Sequence, residues 1–490
     1  MPQSTAAPDP SASQPAPRPA PFARLRSQVQ ACLQHFRQGP ATPPAAYTLD
    51  KELKAAFDEA ARALLEHEFN RLEPDGRAQA DPKVRYQRQT YRVNKKTKAE
   101  VATSFGAITL RSFLYLARED GEPGLHPLHM RLGVVAGSAT AVLAERAARW
   151  AVDHSQREVR QWREAEHGLH WSNDRLRRVV REFRRTAVAF REEAQVQRLL
   201  QWLGEAQRSR GRYRPVLAQG RDGVLVPIRG DGYQEASTAT VSVYDRRGRR
   251  LGTVYLGQMP EAHQASLTAA LTALVTEVLR RWEGPLPRLV YVTDKGQAQD
   301  DYYRRVLRRQ RHPRQPGQRL AWEWVLDFFH VCGYLAKLRE ALFGAGGCRW
   351  YERMRHWLRH RAQGAAQVLR SAMQHLHRRR LSKAAEGQFW EAYGYLRRHS
   401  RWMDYARYRR QGLPIGSGVT EAACKTVFAQ RLKRSGMRWD KGSGQVIVDL
   451  RALHLSGVWQ EVVRKDLQAR ALPERVSSQP QARRSGRKAA

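Results

Sequence analysis

Cysteine is scarce in this sequence, which has four among its 490 residues. Cys32, Cys332, Cys348 and Cys424 form no C-x-x-C pair, so neither a zinc knuckle nor a disulfide framework is supported. No apolar run reaches the roughly 18 residues that a membrane-spanning helix needs. The Pro/Ala/Ser-rich beginning lacks the apolar segment of a signal peptide. We therefore expect a soluble, cytoplasmic protein with reduced thiols and no membrane partner.

Acidic residues are also in short supply: 47 Asp and Glu face 86 Lys and Arg, which gives a net charge of +39. A codon bias towards arginine explains why Arg exceeds Lys, but it does not create so large an excess of positive charge. Each phosphate that a basic side chain neutralises releases counterions, so this charge favours a nucleic acid as partner. Ribosome association is the alternative that the charge alone leaves open.

Composition and hydrophobic periodicity divide the chain into segments of different character. Helical patterns alternate with strand-like ones, and Pro-, Ser- or Arg-rich stretches stand at both ends. The predicted segments are a disordered tail (1–22), a helical and β region (23–135), a helical region (136–210), an α/β core (211–345), a basic helical insertion (346–412), the last part of the core (413–463) and a basic flexible tail (464–490).

The helical region contains a pair of helices joined by a short turn with a glycine, in SQREVRQWREAEHGLHWSNDRLRRVVREF. Ser172, Asn173 and Asp174 supply an N-cap for the second helix. This pattern is typical of a helix-turn-helix that binds DNA and equally of an ordinary helical hairpin.

The core segment predicts an α/β fold of ribonuclease-H-like type. PVLAQGRDGVLVPIR, ASTATVSVYD and RRLGTVYLG are three β-rich stretches with turn residues between them, which indicate an antiparallel meander. They are followed by a helix, the strand PRLVYVTDKG, a second helix, and a strand that leads into a helix at LAWEWVLDFF. Three strands followed by helix, strand, helix, strand, helix is the element order of that fold.

Three carboxylates occupy positions in this order that suit metal-dependent phosphoryl transfer. Asp222 lies in the first strand, Asp294 ends the apolar strand VYVTD, and Glu421 begins a late helix after PIGSGVT. Two Mg²⁺ or Mn²⁺ ions about 3.5–4 Å apart require hard oxygen ligands that converge from separate elements. Each residue also has a structural interpretation, as a turn residue or as a partner of a helix dipole. Asp231 precedes a glycine as Asp222 does, so either aspartate fits the first position.

Three motifs resemble bacterial insertion-sequence transposases of the ISKra type, which are related to the Mutator-like transposases. PIGSGVTEAACKTVFAQRLKRSGMRW is similar to the family's block around its last acidic residue. VLDFFHVCGYLAKL is similar to its D-x-x-H segment, and GRDGVLVP is similar to its first-aspartate strand. The similarity extends over most of residues 85–460, and the last block is the most specific of the three.

This resemblance implies a DDE transposase that cleaves and joins DNA, with Asp222, Asp294 and Glu421 as both catalytic and metal-binding residues. It assigns Asp327 and His330 to the D-x-x-H pair, as supports of the site. Capping and packing of a helix explain that pair equally well. The implied partners are terminal inverted repeats, which the N-terminal helices would recognise, and target DNA. The implied assembly is a homodimer or larger oligomer in the bacterial nucleoid.

The basic residues after Glu421 are candidates for holding the transposon end: Arg431, Lys433, Arg434 and Arg438. A solvated helix face explains each of them as well. The chain departs from the family in two places. It has no cysteine between Cys32 and Cys332, where family members carry a zinc ribbon, and Lys295 follows Asp294, where it would compete with a metal.

Two other functions fit the same pattern. A ribonuclease-H-like nuclease or resolvase would use the three carboxylates without strand transfer. A non-catalytic DNA-binding protein derived from a transposase would not need them.

Overall fold

The structure is a computed structural model that describes residues 20–117 and 122–476. Residues 1–19 of the predicted N-terminal tail and 477–490 of the predicted C-terminal tail lie outside the described residues. The fold is mixed α/β. Among the helices in the described ranges, none is long and apolar enough to cross a lipid bilayer.

The chain forms two compact units. The first consists of the described residues up to Ala147, of Gln156–Val179 and of those from Arg470 onwards, and the second of Ala148–Ser155 and Val180–Ala469. The elements that begin in the first unit are α1 (Ala20–Gln38), α2 (Pro43–Arg71), β1 (Lys83–Tyr86), β2 (Gln89–Thr103), β3 (Gly106–Ala117), α3 (Pro127–Arg131), α4 (Ala141–Asp153), α5 (Gln156–His167) and α6 (Asn173–Val188).

The first unit is built on an antiparallel sheet. Its order is β11-β1-β2-β3, where β11 (Glu474–Arg475) is the last strand of the described chain. Strands β2 and β3 meet at Phe105, where the sequence predicts a turn between two strands. The predicted cap of α6 is present, since the Ser172 hydroxyl accepts a hydrogen bond from the backbone N–H of Arg175.

The second unit contains the longer sheet and most of the helices. Its elements are α7 (Arg191–Arg208), β4 (Val216–Ile228), β5 (Gly232–Tyr244), β6 (Arg250–Gln258), α8 (Ala265–Arg281), β7 (Arg288–Thr293), α9 (Gln297–Arg305), β8 (Arg311–His312), β9 (Gln315–Arg319), β10 (Trp322–Leu326), α10 (Phe328–Phe343), α11 (Cys348–His360), α12 (Gly364–His377), α13 (Lys383–His399), α14 (Tyr405–Arg410), α15 (Gly418–Ala423), α16 (Gln430–Leu432), α17 (Lys441–Leu455) and α18 (Trp459–Ala469). A π-helical turn, Cys424–Ala429, joins α15 to α16.

The five-stranded sheet of the second unit has the order β10-β7-β4-β5-β6. Strands β4, β5 and β6 pair antiparallel, as the three β-rich stretches predict. Strand β7 is parallel to β4, and β10 is parallel to β7. Parallel neighbours place their carboxyl ends at the same edge of the sheet, which is where ligands gather in open α/β sheets.

Alternating side chains of β4 face the two sides of this sheet. Leu217 packs in one core cluster with apolar residues of α7 and α8, and Val216 and Ala218 pack in the other, with α10 to α14. The period of two along a strand requires that neighbouring residues face opposite sides. The sheet is therefore covered by helices on both faces.

Two of the predicted boundaries differ from the structure, and the insertion packs on the core. Helix α7 packs on the sheet through Val196, Leu199 and Leu203, whose helical spacing forms one apolar stripe, so it belongs with the core and not with the helices before it. The insertion shares the core cluster of α10, through residues such as Phe389. The basic tail predicted from residue 464 begins too early, because α18 continues to Ala469 and β11 pairs with β1.

Candidate functional site

The three predicted carboxylates line one cavity in the second unit, at the carboxyl end of β7. The cavity has a volume of about 450 Å³. Its lining residues are Arg221, Asp222, Asp294, Phe329, His330, Ser417 and Glu421. Asp231, the alternative for the first position, is an exposed residue of the β4–β5 turn and is not in this lining. The structure therefore places Asp222, and not Asp231, beside Asp294 and Glu421.

Asp222 lies within β4, beyond the part of that strand that pairs with β7. One carboxylate oxygen accepts a hydrogen bond from the backbone N–H of Gly223 at 2.8 Å, and the other lies 3.3 Å from the Cys424 thiol. Helix α15 approaches this strand closely, because a Cβ on Gly220 would lie 2.2 Å from the Thr420 hydroxyl. A glycine at position 220 thus allows the helix that carries Glu421 to reach Asp222.

Asp294 follows β7 directly and begins the turn into α9. Its carboxylate accepts a hydrogen bond from the backbone N–H of Gly296 at 3.3 Å. Lys295 has a φ of 70° and turns its side chain away, where its ammonium group lies 2.5 Å from Asp300 and packs over the rings of Trp324 and Trp402. Burial lowers the pKa of Lys295, while the bond to Asp300 opposes that shift. The lysine is therefore engaged by Asp300, and the predicted competition with a metal does not arise from this geometry.

The backbone of Asp294 is held by the helical insertion. The hydroxyl of Tyr395 in α13 donates a hydrogen bond to the Asp294 carbonyl at 3.1 Å. The Tyr395 ring stacks on Tyr334 of α10, with ring centroids 3.7 Å apart. Burial raises the pKa of Tyr395, so its hydroxyl keeps its proton and remains a donor at neutral pH. Sequence patterns gave no sign of this contact, because the two residues are far apart along the chain.

We expect Tyr395→Phe to weaken the candidate site without unfolding the protein. The substitution removes one hydroxyl and keeps the stacked ring, so the stability loss should be about 1 kcal/mol. The Asp294 turn loses its anchor, so the Kd for Mg²⁺, measured by isothermal titration calorimetry, should rise. Tyr334→Phe is the matched control, since it belongs to the same ring stack and should leave this Kd unchanged. Equal shifts in both variants would contradict the proposed role of the hydroxyl.

Glu421 is positioned through Ser417 and Asp327. The Ser417 hydroxyl donates to the Glu421 carboxylate at 2.9 Å, and the Ser417 backbone N–H donates to one oxygen of Asp327. The other oxygen of Asp327 caps α10 by accepting from the His330 backbone N–H at 2.6 Å. Asp327 is fully buried at the end of β10 and does not line the cavity. Asp327 therefore acts on the site through Ser417. The other member of the D-x-x-H pair, His330, lines the cavity itself.

The cavity concentrates negative charge. Burial raises the pKa of Asp222, and the charges of Asp294 and Glu421 raise it further, while the Cys424 hydrogen bond opposes them. Burial and the Asp222 charge both raise the pKa of the Cys424 thiol, so it stays protonated and donates. Cys424 and Ser417 are site residues that the sequence predictions missed. The position of Cys424, one helical turn after Glu421, was the signal that could have found it.

The donor set suits a hard divalent cation, because three carboxylates face one cavity. In residues 20–117 and 122–476, however, no three His, Cys, Asp or Glu side chains stand close enough to hold one metal ion. One oxygen of Glu421 accepts a hydrogen bond from the Ser417 hydroxyl. Binding of one ion by all three carboxylates therefore requires them to move closer to one another.

The four predicted DNA-binding residues differ in their surroundings. The prediction for Arg431 is wrong: its side chain is 2% exposed, donates to the Ala151 carbonyl and packs over Trp439, so it is structural. Arg434 is exposed but is bonded to the carbonyls of Asp153 and Gln430. Lys433 and Arg438 are exposed, as a contact with phosphate requires.

Comparison with models of known protein families gives no match for this chain. Comparison with curated proteins gives no match either.

Proposed function

We propose that this chain is a DDE transposase that cleaves and joins DNA at the ends of an insertion sequence. The observation that carries the proposal is that Asp222, Asp294 and Glu421, from three elements distant along the chain, line one cavity. A turn or a helix dipole can explain each of these acidic residues by itself. Neither explains why all three carboxylates line the same cavity.

The topology of the second unit supports a ribonuclease-H-like core. An antiparallel meander of three strands continues into two parallel strands, in the order β10-β7-β4-β5-β6. Helix α8 leads from β6 into β7, α9 follows β7 on the way to β10, and α15 brings Glu421 against β4. This is the arrangement that places a carboxylate of the first strand beside one that follows the fourth.

The residues of the site have distinct tasks in this function. Asp222, Asp294 and Glu421 would hold two Mg²⁺ or Mn²⁺ ions, which would activate the attacking oxygen and stabilise the leaving one. Ser417 orients Glu421, and Asp327 fixes Ser417 and the start of α10. Tyr395 fixes the turn at Asp294. The net charge of +39 supplies long-range attraction for DNA.

A non-catalytic DNA-binding protein is the second candidate, and one observation favours it. Among the described residues, no three potential ligands stand close enough to hold one metal ion. A protein that had lost catalysis would not need such a set. A nuclease or resolvase without strand transfer would use the same cavity and differ in its products.

A cleavage assay separates these functions. The full-length protein is incubated with labelled DNA that carries the inverted repeats flanking its own gene, together with target DNA and Mg²⁺, Mn²⁺ or EDTA. With either metal, we expect cleavage that leaves 3′-OH ends, followed by joining to the target DNA. With EDTA, we expect neither cleavage nor joining. Cleavage without joining would indicate a nuclease or resolvase. Binding without either product would indicate a non-catalytic protein and overturn the proposal.

A further inference from the structure

The β4–β5 hairpin exposes two large apolar side chains on one face. Leu225 is 54% exposed and Tyr233 is 66% exposed. Tyr233 lies opposite Pro227 in the antiparallel register, so the ring is on the same side of the sheet as Leu225, two residues earlier in β4. Single exposed apolar residues are common, but two that share one face of a hairpin tip favour a contact surface.

The tip carries exposed charges of both signs, with Asp231 in the turn, Glu235 opposite Leu225 and three cations around them. Arg229 lies in the hairpin turn, and Lys433 and Arg438 belong to the segment that follows α16. That segment is tied to the hairpin, since Arg229 N–H donates to the Trp439 carbonyl at 2.9 Å and Trp439 N–H donates to the Pro227 carbonyl at 3.1 Å. The Lys433 ammonium group lies 6.0 Å from the centre of the Tyr233 ring.

The tip is continuous with the carboxylates. A second cavity of about 950 Å³ is lined by Asp222 and Asp294 and extends to Leu225. Leu225 stands three residues after Asp222 in β4, about 10 Å along an extended strand, and its side chain leaves the opposite face of that strand. The cavity joins the two residues around the strand, so a DNA strand that follows it from Asp222 would reach the hairpin within a few nucleotides.

We propose that Leu225, Arg229, Tyr233, Lys433 and Arg438 form a hairpin surface that binds DNA next to the candidate cleavage site. The three cations contact phosphates, and the Tyr233 ring packs against a sugar or base of the same strand. The three exposed cations and the net charge of +39 favour DNA over an apolar partner, and the cavity connects this surface to the carboxylates. The inference rests on the proposed function for its partner, but it does not require that the protein cleaves.

The test measures binding of the full-length protein to a fluorescent DNA duplex by anisotropy, in EDTA and over a series of salt concentrations. Tyr233→Ala should raise Kd about fivefold, or about 1 kcal/mol of lost ring contact with a sugar, with the salt dependence unchanged. Lys433→Gln and Arg438→Gln should each reduce the slope of log K against log salt by about 0.9, the value for one phosphate contact. The tyrosine variant thus changes the affinity alone, whereas the cation variants also change its salt dependence.

Two controls match these changes. Tyr233→Phe keeps the ring and should bind as the wild type does. Arg464→Gln removes an exposed charge that pairs with Glu461 on α18 and should leave the slope unchanged. Wild-type affinity for Tyr233→Ala, or unchanged slopes for both cation variants, would overturn the inference. Because EDTA removes metal, a protein that binds in this way and never cleaves would contradict the proposed function but not the hairpin surface.

Discussion

Asp294→Asn is expected to lower Mg²⁺-dependent DNA cleavage by about a thousandfold or more while the protein stays folded. The amide keeps the size of the side chain and loses the negative charge that a hard cation requires. A catalytic metal supplies several kcal/mol to the transition state, and each 1.4 kcal/mol is about a factor of ten in rate. Asp222→Asn and Glu421→Gln should show losses of the same order. The measurement is the initial rate of 3′-end release from labelled DNA, with circular dichroism as the check on folding.

Asp231→Asn is the matched control for these carboxylates. It makes the same chemical change at an exposed turn residue outside the cavity, and its cleavage rate should equal that of the wild type. A loss in Asp231→Asn with normal rates in Asp222→Asn would transfer the first position to Asp231. Normal rates in any one of the three cavity variants would remove that residue from the site.

Asp327→Ala is expected to destabilise the protein by roughly 2–5 kcal/mol, because two buried backbone N–H groups lose their acceptor. Those groups belong to His330 and Ser417, and Asp327 has no exposed surface through which water could replace it. Cleavage should also decline at temperatures where the variant is folded, since Ser417 then loses the anchor that aims it at Glu421. Urea unfolding gives the stability change, and the same cleavage assay gives the rate.

Ser417→Ala separates the two effects of Asp327. It removes the hydroxyl that donates to Glu421 and keeps the backbone N–H that Asp327 accepts, so activity should decline with little change in stability. Asp327→Asn keeps one acceptor oxygen and should lose less stability than the alanine variant. A stability loss below about 1 kcal/mol for Asp327→Ala would show that the buried N–H groups find other partners.

Local sequence pattern predicted the elements of the second unit well. Three β-rich stretches separated by turn residues indicated the β4–β6 meander, and the apolar strand that precedes Asp294 is β7. The hairpin β8–β9 was not predicted, because β9 has the sequence QPGQR, in which every residue is exposed and no alternation exists. Periodicity depends on burial, so elements without a buried face leave no pattern to detect.

The site was predicted in part. The three carboxylates that line the cavity were predicted from their order on two strands and a late helix, and the resemblance implied the same three residues. The partners that hold them were not, since Tyr395 and Cys424 reach Asp294 and Asp222 only through the tertiary fold. Arg431 was misassigned for the same reason: in a basic segment it has the composition of a surface residue, and its burial depends on the distant carbonyl of Ala151.

The most direct test of the proposed function is anomalous diffraction from crystals of the protein grown with Mn²⁺ and a DNA end. We expect two Mn²⁺ peaks between Asp222, Asp294 and Glu421, with one Glu421 oxygen on an ion and the other still accepting the Ser417 hydrogen bond. Well-ordered DNA beside these three carboxylates, with no Mn²⁺ peak within coordinating distance of them, would contradict the account.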